Sequence, residues 1–344
     1  MLTGSTSFSG LHIARALSEP QSETNRVVWS GEAPKPAGFE VQLPVRKRER
    51  KPWETARFSE LSKLPAELLT YDGVESPTFL KLLESRKPRV LWNHGAFMED
   101  YRSPSYNLQK SFETNLYPLQ SVLETFASNG GRLIVHSGSI FEPHEGEGDN
   151  VGNGLSAYGV SKSLVYEWLR YQCCRLGLGL LKVVIPNPIG TFENPDRLIP
   201  AFVKMWQEGK TPEISAPAFV RDNVPVTWLA LHAADAIRNI VDQDLPSREW
   251  RIHPSGLTTT TEDFVRLVAD QLGRRLEIAT PIRIHEKTTD KSAHVEPKNR
   301  LVTQPLKRIN TEPSHLKLSL DREKSLELFW DELAEYYRSN ERAQ

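Results

Sequence analysis

Apolar and polar residues alternate along the chain in two patterns, short apolar runs and longer stretches with an apolar residue at every third or fourth position. The short runs predict strands, and the longer stretches predict helices that bury one face. The predicted strands lie at residues 27–30, 68–72, 90–93, 133–136 and 181–185. The predicted helices lie at residues 11–17, 77–85, 107–128, 157–174, 228–240, 261–272 and 326–337. Strands alternating with helices predict a parallel sheet with helices on both faces.

Beyond residue 185 this alternation weakens and proline becomes frequent, which predicts a domain boundary. We therefore predict an α/β protein in which residues 1–185 form a doubly wound parallel sheet. The apolar segment at residues 224–242 is expected to return to this first domain. The remainder of residues 186–344 is expected to form a smaller α/β domain.

The composition is that of an ordinary soluble protein, with 344 residues, a net charge of −1 and 25% charged residues. This balance gives no reason to expect nucleic acid or a membrane surface as a partner. No apolar run approaches the roughly 20 residues of a membrane span, and no secretory signal is recognisable. Cys173 and Cys174 are adjacent on a predicted helix, which favours reduced thiols and a cytoplasmic protein. The acids within residues 143–150 lack a fixed spacing and are interrupted by glycines, so we predict a loop and no metal site.

The stretch from Ser137 to Lys162 carries the strongest candidate chemistry. Ser137 follows a predicted strand, and Tyr158 and Lys162 lie four residues apart, which places them on one face of a helix. A free phenol has a pKa of about 10, and a nearby ammonium lowers that pKa by favouring the phenolate. A hydroxyl at the strand end can bond the same substrate oxygen. Together these groups could exchange a proton with an alcohol while a hydride moves.

The spacing Tyr-x-x-x-Lys is a weak signal alone, because the chain holds a second copy at Tyr106 and Lys110. A solvent-exposed helix pair is the usual explanation of such a spacing. The strand before the second copy ends in no serine. Only the copy at Tyr158 is preceded by a strand, a strand-end serine and a loop, and this context favours a catalytic role for it.

A turn rich in small residues precedes the first predicted helix and includes Gly4, Ser7, Phe8 and Gly10. Such a turn binds pyrophosphate through the free N–H groups at the helix start. Ser7 stands where a second glycine would let the backbone approach closely, and a simple small-residue helix cap is the alternative.

The predicted second strand ends at Ser30, a candidate cofactor contact, and Glu32 is the acid nearest to that end. An acid at this place would bond the ribose hydroxyls of NAD. Lys35 and the basic run at residues 46–51 are candidates for a 2′-phosphate. The choice between NAD and NADP stays open.

Taken in order, these segments resemble the extended short-chain dehydrogenase/reductase family of nucleotide-sugar epimerases, dehydratases and ketoreductases. The resemblance covers most of residues 1–270. It rests on motif residues in the family's order: Gly4 and Gly10 of the glycine-rich turn, Asp72, Gly95, Ala96, Asn115, Ser137, Tyr158, Lys162, Asn187 and Arg221. It implies a Rossmann-type dinucleotide-binding domain followed by a mainly substrate-binding domain, and NAD or NADP as cofactor.

The resemblance also implies roles for these residues. Tyr158 would be the acid/base, Lys162 would lower its pKa and hold the nicotinamide ribose, and Ser137 would bind the reacting oxygen. Asn115 would be a further catalytic residue of this site.

Further residues would contact the cofactor or the substrate by the same resemblance. Asp72 would contact adenine, and Gly95 and Ala96 would lie beside the cofactor. Ser139, Asn187 and Arg221 would bind the nucleotide-linked sugar.

The family's 4,6-dehydratases carry Asp-Glu directly after their catalytic Thr. Gly138 and Ser139 follow Ser137 here, so that chemistry lacks its acid and base. A keto-sugar reductase is favoured, and a 4-epimerase or a non-catalytic dinucleotide-binding protein are the alternatives. The wide apolar faces at residues 107–128 and 157–174 predict a homodimer, as is common in the family.

Overall fold

The computed structural model describes residues 1–19, 39–101, 103, 105–148, 152, 154, 156–241, 249–285, 307–310 and 321–341. Ten helices lie in this part of the chain: α1 Phe8–Ser18, α2 Pro52–Leu61, α3 Pro77–Arg86, α4 Leu108–Asn115, α5 Leu119–Ser128, α6 Ala157–Leu176, α7 Leu198–Gln207, α8 Val226–Val241, α9 Thr261–Leu276 and α10 Arg322–Glu341. The strands of the same part are β1 Gln42–Arg46, β2 Glu67–Tyr71, β3 Val90–Asn93, β4 Leu133–Ser139, β5 Glu147–Gly148, β6 Gly179–Ile185, β7 Asn187–Ile189, β8 Glu213–Ile214, β9 Val220–Pro225, β10 Glu249–Ile252, β11 Leu257–Thr260, β12 Arg283–Ile284 and β13 Lys307–Ile309.

The central sheet is parallel and has helices on both faces. Strands β3, β4, β6 and β10 pair in that order, with β4 between β3 and β6. Leu2 forms a parallel bridge with Trp92 of β3, and its N–H donates to Gln42 at the start of β1. Leu2 therefore joins the parallel pair β1–β2 to the rest of the sheet. The predicted fold class, a doubly wound parallel sheet, is confirmed.

Two cores hold helices against the two faces of this sheet. One core joins α1 and α8 to β1, β4 and β6, and the other joins α3, α5 and α6 to β3 and β4. The strand β4 is buried along its whole length because it lies between these layers. The carboxyl end of β4 is therefore held between helices on both faces of the sheet.

A second set of elements comes mostly from the chain after β6, with β5 added from before it. Strands β11, β9, β13 and β5 form a smaller sheet, and β7 pairs with β9. Helices α7, α9 and α10 share a separate core with Trp206, Leu272 and Trp330. Helix α8 packs on α1 in the first core, and β10 adds to the edge of the first sheet at β6. The sequence pattern gave no sign of β10.

Two predictions about elements need correction. The strand that lies beside Leu2 is β1 at 42–46, whereas the strand predicted for this place, at 27–30 with Ser30, falls outside the described residues. The single helix predicted at residues 107–128 is two helices, α4 and α5, separated at Pro118. Proline lacks the N–H that a helix interior requires and clashes with the preceding turn. No helix in the described part of the chain is long and apolar enough to cross a membrane.

Candidate functional site

Ser137 and Lys162 are in direct contact at the carboxyl edge of the central sheet. The ammonium of Lys162 on α6 donates a hydrogen bond of 2.7 Å to the carbonyl oxygen of Ser137 on β4. Both side chains are buried. Because successive helix residues point in directions about 100° apart, this bond fixes the rotation of α6 about its axis.

Tyr158 lies one turn earlier on the same helix, close to the loop that follows β4. Gly159 makes this close approach possible, because a Cβ there would lie 2.1 Å from the carbonyl oxygen of Phe141. The phenol ring packs edge-on against Tyr101 at 5.5 Å and Tyr106 at 6.0 Å between ring centroids. Among the described residues, Tyr158 donates no hydrogen bond to Ser137 or Lys162.

The pKa of Tyr158 is raised, which differs from the lowered value predicted from the sequence. Burial is the main cause, since it penalises the charged phenolate, and the carboxylate of Glu142 and the neighbouring Tyr106 and Tyr101 add to it. The same burial lowers the pKa of Lys162 to about 8. The expectation of a lowered phenol pKa considered the attraction of the Lys162 ammonium and did not consider the desolvation of the phenolate. In this structure Tyr158 is therefore a protonated group near neutral pH.

His94 connects the strand-end serine to the glycine-rich turn. Its Nδ1 lies 2.6 Å from Ser137 Oγ, and its Nε2 lies 3.0 Å from Ser7 Oγ and 3.1 Å from Ser9 Oγ. The indole N–H of Trp92 donates to Ser137 Oγ at 2.8 Å. Burial lowers the pKa of His94 to about 3, so the imidazole is neutral and has one donor and one acceptor nitrogen.

This set of contacts indicates the direction of each hydrogen bond. An indole nitrogen can only donate, so Ser137 Oγ accepts from Trp92. We assign the serine proton to the bond with His94 Nδ1 and the imidazole proton to Nε2, which donates to the hydroxyls of the turn. One lone pair of Ser137 Oγ then remains for a substrate hydroxyl. The sequence analysis gave His94 no role, and its position directly after β3 was the only available signal.

The turn before α1 has the geometry of a phosphate-binding turn. Gly4 adopts a left-handed φ of +68°, and a Cβ there would lie 2.6 Å from the backbone nitrogen of Gly95. Ser7 caps α1 by accepting a hydrogen bond from Gly10 N at 3.1 Å. Phe8 is the first residue of α1 and is buried. The first N–H groups of a helix have no partner within the helix, and they point toward this turn.

These residues fit a dinucleotide. The left-handed Gly4 and the start of α1 provide a cradle that a Cβ would fill, and the hydroxyl of Thr3 ties it to β3 by accepting from His94 N and Gly95 N. Ala96 follows Gly95 at the same edge. Asp72 follows β2 and accepts a hydrogen bond from the hydroxyl of Thr78 at 3.2 Å.

Asn115 stabilises the loop after β3. Its side-chain oxygen accepts from Phe97 N at 3.0 Å, and its amide donates to Ser111 at 3.1 Å. The hydroxyl of Tyr106 donates to Phe97 O at 3.1 Å, and the Tyr106 ring packs on Tyr158. Asn115 is therefore connected to Tyr158 through Phe97 and the ring of Tyr106. Its catalytic role stays a prediction.

The candidate substrate residues lie on adjacent strands of the smaller sheet. Asn187 of β7 pairs with Asn223 of β9, and their side-chain amides are 2.5 Å apart. Arg221 lies two residues before Asn223, with its guanidinium 4.7 Å from the ring centre of Phe219. Ser139 ends β4, and its hydroxyl accepts from Phe141 N at 3.2 Å. Asn187 and Arg221 thus lie on neighbouring strands, whereas Ser139 is engaged in its own loop.

A buried ion network supports the loop after β4. Lys182 donates to Glu142 and to Glu145, each at 2.6 Å, and the exposed fractions of these three side chains are 2%, 0% and 3%. Glu142 also accepts from Ser139 N at 2.6 Å. The Lys182 ammonium lies 3.9 Å from the ring centre of Tyr166. The sequence analysis missed this network, because its members are scattered over forty residues of loop, helix and strand.

No protein-family model and no curated relative matches the chain. Solved structures do match it over nearly its whole length. A UDP-N-acetylglucosamine 4-epimerase from Methanobrevibacter ruminantium superposes with a TM-score of 0.70 and 14% identity, covering 98% of this chain and 97% of that one. A UDP-glucose 4-epimerase from Thermotoga maritima gives a TM-score of 0.68 and 16% identity, covering 98% of each chain.

A dTDP-glucose 4,6-dehydratase from Streptomyces venezuelae, solved with NAD bound, gives a TM-score of 0.69 and 18% identity, covering 98% of this chain and 96% of that one. The chain therefore has the fold that these nucleotide-sugar enzymes share. At these identities the similarity establishes the fold, and the chemistry depends on the residues of the site itself.

Proposed function

We propose that this protein is an NAD(P)-dependent oxidoreductase that reduces a keto group on a nucleotide-linked sugar. The main support is the hydrogen bond from Lys162 to the carbonyl oxygen of Ser137 near the end of β4. This bond lies beside the glycine-rich turn and one helical turn from Tyr158. A site of this kind needs a proton donor, a hydroxyl that orients the reacting oxygen and a place for the cofactor. All three lie at one edge of the sheet.

The protonated state of Tyr158 is the one that the reduction of a ketone requires. A buried phenol that stays protonated near neutral pH can give a proton to the oxygen of a ketone as that oxygen becomes an alcohol. The remaining lone pair of Ser137 Oγ, which His94 and Trp92 hold in position, would accept a hydrogen bond from the alcohol that forms at this oxygen. A bound nicotinamide dinucleotide would supply the hydride. The Lys162 ammonium, in its dry surroundings, would favour the developing negative charge.

The substrate class follows from the smaller sheet and from the solved structures of this fold. Arg221 offers a cation for the phosphates of a nucleotide sugar, and Asn187 lies on the neighbouring strand. The solved relatives are enzymes of UDP- and dTDP-sugars. A nucleotide-linked sugar is therefore the proposed substrate, with its ring directed toward β4.

The test is oxidation of NADPH or NADH in the presence of a nucleotide-linked 4-keto sugar. We expect turnover by the wild-type chain and a loss of about 100-fold or more in Tyr158→Phe, which keeps the ring and removes the proton donor. Tyr171→Phe is the matched control, since Tyr171 lies on the same helix and is 60% exposed. Equal rates in Tyr158→Phe and the wild-type chain would refute the assignment.

A 4-epimerase is the second candidate, favoured by the epimerases among the solved structures of this fold. The same residues would then remove and return the proton, and no net cofactor would be consumed. Inversion of the sugar without a change in absorbance at the nicotinamide band would identify it. Tight dinucleotide binding without any turnover would instead indicate a non-catalytic binding protein.

We also propose a homodimer formed through α6 and the end of α4. Leu164 and Tyr171 lie seven residues apart on one face of α6 and are 46% and 60% exposed, and Tyr117 beside α4 is 65% exposed. Trp168 stacks on Tyr171 within the same face, with ring centres 5.7 Å apart. An apolar face of this kind is commonly an interaction surface.

A further inference from the structure

The end of β1 carries a concentration of positive charge beside the glycine-rich turn. Five of the six residues from 46 to 51 are Arg or Lys, and no acid occurs between residues 42 and 48. The strand that lies beside Leu2 determines which side chains approach the adenosine ribose in a doubly wound sheet. Because that strand is β1, these side chains are Arg46, Lys47 and Arg48.

The register of the sheet fixes their height relative to the turn. Leu2 N donates to Gln42 O, and Gly4 follows two residues after Leu2 whereas Arg46 follows four residues after Gln42. In a parallel pair this bond places Leu2 level with Leu43, so Gly4 is level with Val45. Arg46 therefore lies roughly 3 Å further along the strand direction than Gly4. The basic residues therefore project past the turn at the edge where a dinucleotide would place its adenosine ribose.

The charges of Arg46 and Lys47 are available to a ligand, and Arg48 shares its charge with Glu54. Arg46 lies 3.2 Å from Glu75, but the two side chains are 37% and 44% exposed, and an exposed pair of this kind is worth little and can open. Arg48 makes a two-pronged contact with Glu54 at 2.6 and 2.9 Å. Lys47 is exposed, and no carboxylate among the described residues pairs with it.

We propose that this chain binds a dinucleotide with a 2′-phosphate, NADP(H), in preference to NAD(H), through Arg46, Lys47 and Arg48. This inference rests on the proposed function. A guanidinium can hold a phosphate through two parallel hydrogen bonds. An acid at the strand end would instead accept from a free 2′-hydroxyl, and neither β1 nor the two residues that follow it include an acid.

The test measures binding and needs no turnover. Titration of the full-length protein with NADPH and with NADH gives two dissociation constants, and 2′,5′-ADP and 5′-AMP give the same comparison for the adenosine half alone. We expect the ligand with the 2′-phosphate to bind at least about tenfold more tightly in each pair. The preference should shrink as salt is added, because screening weakens exposed charge contacts.

Variants then locate the site. Arg46→Ala combined with Arg48→Ala should weaken NADPH binding at least about tenfold and leave NADH binding nearly unchanged. Arg86→Ala is the matched control, because Arg86 also forms an exposed pair, with Glu67 at 2.5 Å, but at the amino-terminal end of β2. That control should change neither constant. The thermal midpoint of each variant shows whether it remains folded.

Three results would overturn the inference. NADH binding as tightly as NADPH would show that the strand-end cations do not recognise the phosphate, while dinucleotide binding itself would stand. Equal weakening of NADPH and NADH binding in the double variant would show that the cations strengthen dinucleotide binding without recognising the 2′-phosphate. Failure of all four ligands to bind the wild-type chain would remove the proposed function and this inference together.

Discussion

Lys162 Nζ donates a hydrogen bond of 2.7 Å to Ser137 O, which ties the helix that carries the candidate acid to the strand that carries the candidate hydroxyl. Burial at this position disfavours the charged ammonium and lowers the pKa of Lys162 to about 8 from an ordinary value of 10.5. Its position and its ionisation are therefore two consequences of the same packing.

The first prediction concerns this ionisation. Between pH 8 and 10.5 the unfolded chain retains a proton on Lys162 that the folded chain has lost, so the free energy of unfolding rises with pH in this window. We expect the wild-type chain to gain about 3 kcal/mol across the window relative to Lys162→Met. Urea unfolding at several pH values measures this difference.

Lys110→Met is the control for that comparison. Lys110 has the same spacing from a tyrosine but is 57% exposed. Its unfolding curves should follow the wild-type pH dependence. Parallel pH dependences for Lys162→Met and the wild-type chain would contradict the buried, weakened cation.

The second prediction concerns His94. Since burial lowers the pKa of His94 to about 3, its ring nitrogens should show no titration between pH 5 and 8. The nitrogen resonances of a neutral imidazole should identify Nδ1 as the acceptor from Ser137, and His94→Gln assigns the signal. As the pH falls from 6.5 toward 3, the unfolded chain binds a proton that the folded chain does not, so this residue should make the protein less stable in acid. A titration midpoint near 6.5 would contradict the arrangement.

The third prediction compares two glycines with the same backbone conformation. Gly4 and Gly177 have φ of +68° and +67°, but only Gly4 has backbone atoms in the space of a Cβ. Gly177→Ala should lower the free energy of unfolding by about 1 kcal/mol, the cost of the left-handed conformation. Gly4→Ala should cost clearly more and should abolish dinucleotide binding. Denaturant unfolding together with a binding titration measures both effects, and equal costs would show that the close approach to Gly95 has no energetic weight.

The fourth prediction concerns the buried ion network. Lys182→Met leaves the carboxylate of Glu142 buried without its cation, whereas Glu145 keeps Arg251 at 3.4 Å. The loss should lower the free energy of unfolding by about 3–5 kcal/mol. Lys210→Met removes a pair whose side chains are 63% and 40% exposed and should change stability by less than about 1 kcal/mol. Denaturant unfolding of both variants provides the comparison. A small cost at Lys182 would indicate that the network is solvated.

The fifth prediction concerns assembly. Sedimentation should show a dimer of the wild-type chain at micromolar concentration and a monomer after Leu164→Asp or Tyr171→Asp, since a charge in an apolar interface is costly. Leu198→Asp is the control, because Leu198 is 36% exposed and lies on a different helix. A wild-type monomer would refute the proposed dimer.

Much of the architecture followed from the sequence. Strands β2, β3, β4 and β6 and helices α3, α6 and α8 were predicted to within a few residues, because periodicity is a local property. The strand beside Leu2, β1 at 42–46, was not predicted, because only pairing across the sheet shows which segment lies there. The break at Pro118 was readable from the chain and was overlooked in favour of a continuous apolar face.

The sequence by itself determined the alternation of strands and helices, the four-residue spacing of Tyr158 and Lys162, and the basic run at residues 46–51. Tertiary structure alone decided that Lys162 reaches Ser137, that His94 joins Ser137 to the turn, and that β1 brings the basic run beside that turn. It also decided that the pKa of Tyr158 is raised. Desolvation depends on which distant side chains, here Tyr101, Tyr106 and Glu142, fold around a group, and no spacing along the chain records that.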